Sequence, residues 1–334
     1  RMRTYGKIVS FLRLIRWRNL IMIALTMFLM RYTIIEPLVS NVTINITHDL
    51  ANSVPLHLQF SLLNFLILVF STISIAAGGY VINDYFDVKA DSVNNKNVVV
   101  GNVISYQSAM LWSNILSLLG VAAGFYVSYK AGYVWFGVIF FLVSGLLFFY
   151  SASYKNQFLV GNIIVAFLVS LVPMLVVFFE WSALYAYCSA FAVVTPDFSF
   201  LFYWVGGFAL FSFLLTLIRE LVKDIEDVDG DLSSKRKTVP IVIGRRKTKN
   251  VVLALSIFTI ILLYVIWRLY VFDWITFAYI TIAVAIPLVV SVVILCKDKE
   301  NERVHLVSSL LKVVMLTGVF YSVIVKLILT WNLL

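Results

Sequence analysis

The sequence predicts an all-α, polytopic membrane protein with nine transmembrane helices. Composition is the first ground. Of 334 residues, 62% are hydrophobic and 13% charged, with a mean hydropathy of +0.97. Soluble domains carry about 45–50% apolar and about 25% charged residues, so the apolar excess must be covered by lipid. Length is the second ground: nine stretches approach the roughly 20 apolar residues that a helix needs to cross a bilayer. The third is the confinement of Lys and Arg to alternate connections, the asymmetry that orients membrane proteins.

The spans fall at 19–38, 60–83, 108–129, 132–150, 158–180, 198–218, 251–271, 274–296 and 306–329. With the N-terminus cytoplasmic, the inner segments 1–18, 84–107, 151–157, 219–250 and 297–305 hold 21 of the 26 Lys and Arg. The outer connections hold Lys130 alone, while Arg31, Arg268, Lys312 and Lys326 lie in or near spans. Nine spans put the C-terminus outside. Residues 1–18 are basic and amphipathic and lack a small-residue cleavage site, so no removable signal is expected. The net charge of +9 does not point to nucleic acid, because the positive charge is confined to the connections. Two cysteines, Cys188 and Cys296, allow no disulfide framework or CxxC metal site, and they fall on opposite faces, so no bridge between them is expected. The outer connections 39–59 and 181–197 are long and rich in polar or aromatic residues. Asn41-Val42-Thr43 and Asn45-Ile46-Thr47 match the glycosylation sequon, a motif short enough to arise by chance. No obligate protein partner is implied.

Two acidic clusters fall on the inner face. Asn83-Asp84-Tyr85-Phe86-Asp87-Val88-Lys89-Ala90-Asp91 continues the second span. If the helix persists, Asn83, Asp87 and Asp91 step round its axis by only ~40° each, with Asp84 beside them. After the sixth span, Glu220, Asp224, Asp227 and Asp231 are spaced 0, 4, 7 and 11, again one helical face, with Gly230 able to break the helix. Crowded carboxylates repel and need a cation. A single acidic run reads as a solvated face screened by lysines. Two stripes leaving spans on the same side favour Mg2+, which binds through one or two carboxylates and completes its shell with water and substrate phosphates. The second large inner loop follows four spans after the first, a weak hint of duplication. On the same face lie Lys155, close to the membrane in Tyr150-Ser151-Ala152-Ser153-Tyr154-Lys155, the run Lys235-Arg236-Lys237, and Arg13, Arg16 and Arg18. Topology alone accounts for most of these cations. Lys155 has the placement of a site residue, and acids with Lys and Arg are what an anionic diphosphate needs.

These motifs resemble the UbiA-type superfamily of intramembrane prenyltransferases. Its first signature, Asn-Asp-x-x-Asp-x-x-x-Asp, is matched by Asn83, Asp84, Asp87 and Asp91. Its second is matched by Lys223-Asp224-Ile225-Glu226-Asp227-Val228-Asp229-Gly230-Asp231, leading to Lys237-Thr238-Val239-Pro240. Tyr150, Lys155, Gly161 and Asn162 fill the places of a Tyr/Lys pair and a Gly-Asn, with a Tyr-to-Lys spacing of five rather than the more frequent four. Asn19 resembles an asparagine of the family's pocket.

The resemblance implies one membrane domain over 1–334, two four-helix pseudo-repeats plus a ninth helix, bundled around a central cavity. It implies metal ligation by Asn83, Asp84, Asp87, Asp91, Glu220, Asp224, Asp227 and Asp231, with two Mg2+ bridging the Asp motifs and a diphosphate. Asp87, Asp91, Asp224 and Lys155 take catalytic roles. Asn19, Asn83, Tyr150, Lys155, Asn162, Lys223, Arg236 and Lys237 take substrate-binding roles. The implied reaction moves a polyprenyl group from a prenyl diphosphate, geranylgeranyl or longer, to a hydrophobic acceptor within membrane lipid, in a bacterial or archaeal cell membrane. The texture of the second motif resembles the branch that prenylates geranylgeranylglyceryl phosphate; an aromatic quinone precursor, 4-hydroxybenzoate or 1,4-dihydroxy-2-naphthoate, is the alternative. A transporter is the rival of another class, using Arg31, Lys312 and Lys326, but the acids lie at one membrane edge and transporter sites at mid-depth. The Asp-Gly-x-x-Ala-Arg pattern of CDP-alcohol transferases is absent.

Overall fold

The computed structural model describes residues 2–46, 49–94, 97–298 and 302–330. The sequon ending at Thr47 falls partly outside them. The order is α1 (Met2–Leu14), α2 (Trp17–Ser40), β1 (Thr43–Ile46), β2 (Asp49–Pro55), α3 (Leu62–Val93), α4 (Tyr106–Lys130), α5 (Val134–Ala152), α6 (Val160–Phe191), α7 (Ser199–Glu226), α8 (Val228–Ser233), α9 (Val239–Ile243), α10 (Arg245–Val271), α11 (Trp274–Lys297) and α12 (Val304–Thr330). Among the described residues nine of these are long and apolar enough to cross a membrane: α2 to α7 and α10 to α12. Trp135, Leu118 and Phe141, which do not line the interior cavity, are 84%, 71% and 63% exposed, as lipid-facing side chains should be. The chain is an integral membrane protein.

Local sequence starts the helices where they are needed. Ser61 and Ser105 cap α3 and α4, each hydroxyl accepting the N–H three residues on. With 32 residues, α3 outlasts a bilayer crossing, so its last turns carry the first acidic motif clear of the span. Its neighbour α4 packs against it through small residues. A Cβ on Gly120 would stand 2.9 Å from the Ser71 carbonyl, and Ser71 donates its hydroxyl to the Gly120 carbonyl at 2.6 Å. Backbones that close are the usual basis of helix association in lipid.

One buried cluster joins α2, α3, α6 and the first half of α7, including Met27, Phe65, Phe179 and Val205. A second joins the last half of α7 to α10, α11 and α12, including Leu221, Val252, Leu288 and Leu311. Through α7, the motif-bearing end is fixed to both.

The end opposite the acidic motifs departs from the sequence reading. Connection 39–59 contains an antiparallel hairpin, Thr43 opposite Pro55, with Val193 N–H donating to the Asn45 carbonyl at 2.9 Å. Span five runs on to Phe191, shortening the connection expected at 181–197. The apolar run continues there, and Trp181 packs on Tyr133, Tyr185 and Phe202. Glu180, the last residue of the expected span, accepts the N–H groups of Gln59 and Phe60 at 2.7 and 3.0 Å. Arg31 lies 3.6 Å from its other oxygen, donates to the Phe60 carbonyl and sits 4.4 Å above the Phe65 ring.

Lys326 donates to the Tyr32 carbonyl at 2.8 Å, within the wide-turn segment Met30–Ile35, and approaches Glu36 at 3.3 Å. Arg31 and Lys326 are therefore structural ties at this end, which removes two of the three residues on which the transporter reading stood. Because the Lys326–Glu36 pair is partly solvated, Lys326→Met is expected to lower stability by only about 0.5 kcal/mol, read as a small drop in thermal midpoint in detergent.

Candidate functional site

The last turns of α3 and α7 bring the two acidic motifs side by side. The first is continuous helix, as its spacing predicts. The second is not. Glu220 and Asp224 ride on α7, but the helix ends at Glu226, Asp227 sits at the break, and Asp231 lies on the separate α8. The expected single stripe of four is corrected to two plus two, and Gly230 lies inside α8 instead of ending a helix.

The cause is contact between the motifs. Asn94, just beyond α3, accepts the Gly230 N–H on Oδ1 at 2.8 Å. Its amide donates to the Asp227 carbonyl at 3.4 Å and to Asp227 Oδ1 at 3.3 Å. A Cβ on Gly230 would stand 2.6 Å from the Ala90 carbonyl and would collide with the Asn94 amide. Glycine is needed here for closeness, not for an unusual φ.

Asp87 is the hub. Lys155 and Arg236 both reach its Oδ1, and Asn83 donates to its Oδ2 at 2.7 Å. The Asn83 carbonyl oxygen also accepts from Lys155 at 3.4 Å. The second guanidinium nitrogen of Arg236 reaches Asp231 at 3.0 Å, so one arginine spans the two motifs. All four of these charged side chains are nearly buried. Burial pulls the Lys155 ammonium below the usual lysine range, although Asp87 opposes it. Burial likewise pushes the Asp231 carboxyl up, against Arg236. For Arg236 burial acts to lower the pKa, but Asp87 and Asp231 outweigh it and hold the guanidinium charged.

Around this hub, Asn162 at the start of α6 donates to Asp224 Oδ2 at 2.8 Å. Glu220 pairs with Arg219 at 2.7 Å and Lys223 at 3.8 Å. Arg16 breaks α1 from α2 with φ +51° and reaches Asp84 at 2.9 Å, its guanidinium 5.0 Å from the Tyr80 ring. Asp84 keeps that guanidinium above the usual arginine range despite its burial.

Asn19, Tyr80, Asn83 and Tyr150 line the mouth of a cavity of about 1330 Å³ that runs into the bundle. Its deeper wall is apolar, with Ile23, Ile75, Leu147, Val172, Leu215 and Leu288.

Among the described residues no three carboxylates, histidines or cysteines converge into a ready-made metal cage. The acids are offered singly by neighbouring elements, each steadied by a cation or an amide. Mg2+ takes one or two carboxylates and fills its shell with water and phosphate oxygens, so this donor set fits an ion that arrives with a phosphorylated substrate.

The UbiA prenyltransferase family matches residues 53–316. The chain belongs to this family. It is 31% identical over 244 residues to a digeranylgeranylglyceryl phosphate synthase of Methanosphaera stadtmanae, covering 72% of this chain and 80% of that one. A solved structure from work on digeranylgeranylglyceryl phosphate synthase in membranes shares the fold, with TM-score 0.58 and 23% identity over 95% of this chain and 99% of the other. A UbiA homologue of Archaeoglobus fulgidus bound to DMAPP and Mg2+ shares it at TM-score 0.51 and 15% identity, over 94% and 99%. The expected family, fold and enzyme class are borne out: this is an integral-membrane prenyltransferase.

In this UbiA prenyltransferase the sequence-derived set is brought together around Asp87 and the cavity mouth, with two exceptions of detail. Lys237 keeps its side chain exposed and uses its N–H instead, donating to the Asn156 carbonyl at 2.9 Å. Asp91 is half-buried on the α3 face below Asp87. Sequence reasoning gave Arg16 no site role beyond its place on the inner face, and did not single out Arg219 or Asn94. The topological use of arginine masked the first two, and Asn94 carries no motif.

Asn162→Ala removes the only amide donor seen on Asp224 among the described residues. It is expected to lower kcat/KM for the prenyl diphosphate about 10–100-fold, the worth of one hydrogen bond to a charged group. Steady-state kinetics beside an unchanged elution profile would check it.

Proposed function

We propose that this enzyme transfers a polyprenyl group, geranylgeranyl or longer, from its diphosphate to geranylgeranylglyceryl phosphate in a Mg2+-dependent reaction within the membrane. The observation that carries the reading is the Asp87–Lys155–Arg236–Asp231 hub beside the mouth of an apolar cavity. The named activity of the Methanosphaera stadtmanae relative and the Mg2+ and DMAPP bound to the Archaeoglobus fulgidus homologue support it.

In this reading Lys155 and Arg236 exchange Asp87 for diphosphate oxygens. Both then face the negative charge that develops as the allylic C–O bond breaks. Asn83, Asp84, Asp87 and Asp91 from one motif, with Glu220, Asp224, Asp227 and Asp231 from the other, would hold two Mg2+, which when bound add positive charge to the leaving group. Asn19, Tyr150 and Lys223 orient substrates at the mouth. The prenyl chain lies along the apolar wall, which keeps water from the cationic carbon while the acceptor hydroxyl oxygen forms the new C–O bond and its proton passes to the departing diphosphate. The chain acts as one membrane domain, with its N-terminus and both motifs cytoplasmic and its C-terminus outside. The distribution of Lys and Arg supports that orientation.

Purified protein would be incubated with Mg2+, radiolabelled geranylgeranyl diphosphate, and in turn geranylgeranylglyceryl phosphate, 4-hydroxybenzoate and 1,4-dihydroxy-2-naphthoate. The expected result is a labelled digeranylgeranyl product, abolished by EDTA. Product from an aromatic acceptor alone would overturn the acceptor, and metal-independent product would overturn the metal.

A further inference from the structure

We propose that Lys312, with Arg219 and Lys223, forms the site for the phosphate monoester of the acceptor, on the α7–α12 side of the cavity. The inference rests on the glyceryl phosphate reading and adds to it where the head group binds.

The cavity wall holds five cations, Arg16, Arg18, Arg219, Lys223 and Lys312, against one carboxylate, Glu220. Arg16 is engaged by Asp84. Lys155 and Arg236, the cations of the hub, do not line this cavity. Arg219 and Lys223 must share Glu220. Lys312 makes no hydrogen bond or ion pair among the described residues, and Arg219 Nε is buried with no hydrogen-bond partner. The wall therefore carries more donors and more positive charge than its own acceptors can use.

Orienting the chain in the membrane does not explain Lys312. Such cations sit in the connections or at helix ends. Lys312 lies more than two turns into α12, on the cavity wall. A cation that far from the connections, exposed on the wall of a mostly apolar cavity, marks a ligand path. Lys223, one turn beyond Arg219, lies toward the mouth. A ligand that suits this wall is anionic at one end and apolar along the rest. A phosphate monoester on a prenylated glycerol meets both demands. Its dianion takes several Lys and Arg donors, and its chain continues along Leu215 and Leu288.

Detergent-solubilised wild type, Lys312→Gln, Lys312→Arg and the double variant Lys312→Gln with Arg219→Gln would each be titrated with geranylgeranylglyceryl phosphate and with its dephosphorylated alcohol. Steady-state KM would be measured for the phosphate acceptor and for geranylgeranyl diphosphate. Wild type is expected to bind the phosphate at least about tenfold tighter than the alcohol, and Lys312→Gln to lose most of that preference. Acceptor KM should rise about tenfold with the diphosphate KM within about twofold, and Lys312→Arg should restore the preference. Undiminished preference in the double variant, or equal rises in both KM values, overturns the site. If wild type neither binds nor prenylates the glyceryl phosphate, the acceptor reading fails and the site with it. If wild type uses that acceptor and the variants still discriminate, the site alone fails.

Discussion

Asp87→Ala is expected to lower kcat/KM for the prenyl diphosphate by about 10³-fold or more, at saturating Mg2+. Three functions end together. The first motif loses its most buried carboxylate, Lys155 and Arg236 lose the oxygen they share, and Asn83 loses the acceptor that sets its amide. The two cations are then left buried and close, so part of the effect is on the fold: removing one member of a buried charge network costs about 3 kcal/mol. Asp87→Asn separates the contributions. It keeps the volume and one carbonyl oxygen for a cation, and is expected to recover much of the lost thermal stability while remaining catalytically as poor as the alanine variant. A variant at Asp87 that kept more than a tenth of wild-type kcat/KM would remove this residue from the proposed chemistry.

How much of this was legible in sequence depends on the range of the contact. The nine spans and the helical first motif follow from local composition and spacing, and they stand in the structure. The hub does not follow from either: Lys155 and Arg236 meet Asp87 across 68 and 149 residues. A family motif brings such residues into one set, but their pairing needs the fold. The hairpin at 43–55 was missed for a similar reason. Its strands are short, it is tied down by Val193, and the chain just after it is held by Glu180, both far away in sequence. The length of α6 was missed because a bilayer sets how long a span must be and not where its helix stops. Arg31 and Lys326 looked functional because charges inside spans generally are. The carbonyls of Phe60 and Tyr32 that receive them were invisible without coordinates.

The second motif shows local pattern being overruled, and it sets the other large expected effect. A period of 0, 4, 7 and 11 suits one helix, yet Asn94 captures Asp227 and the Gly230 N–H, and the chain turns between them. That turn aims Asp231 at Arg236, and so lets one arginine hold both motifs. Gly230→Ala strikes the joint directly, because the added methyl meets the Ala90 carbonyl at 2.6 Å as well as the Asn94 amide. A backbone carbonyl in a long packed helix cannot swing away, so α8 must move. Overpacking of this kind costs about 1–3 kcal/mol. A displacement near 1 Å at a site that must present several oxygens to one diphosphate costs about 10²-fold in rate. The expected result is a folded enzyme with kcat/KM about 10²-fold down. Asn94→Ala should partly rescue it, since it clears one of the two colliding groups. Should Gly230→Ala retain near-full activity, the close approach of the two motifs at Ala90 would not be what positions Asp231, and the role given to Arg236 as the bridge would fall with it.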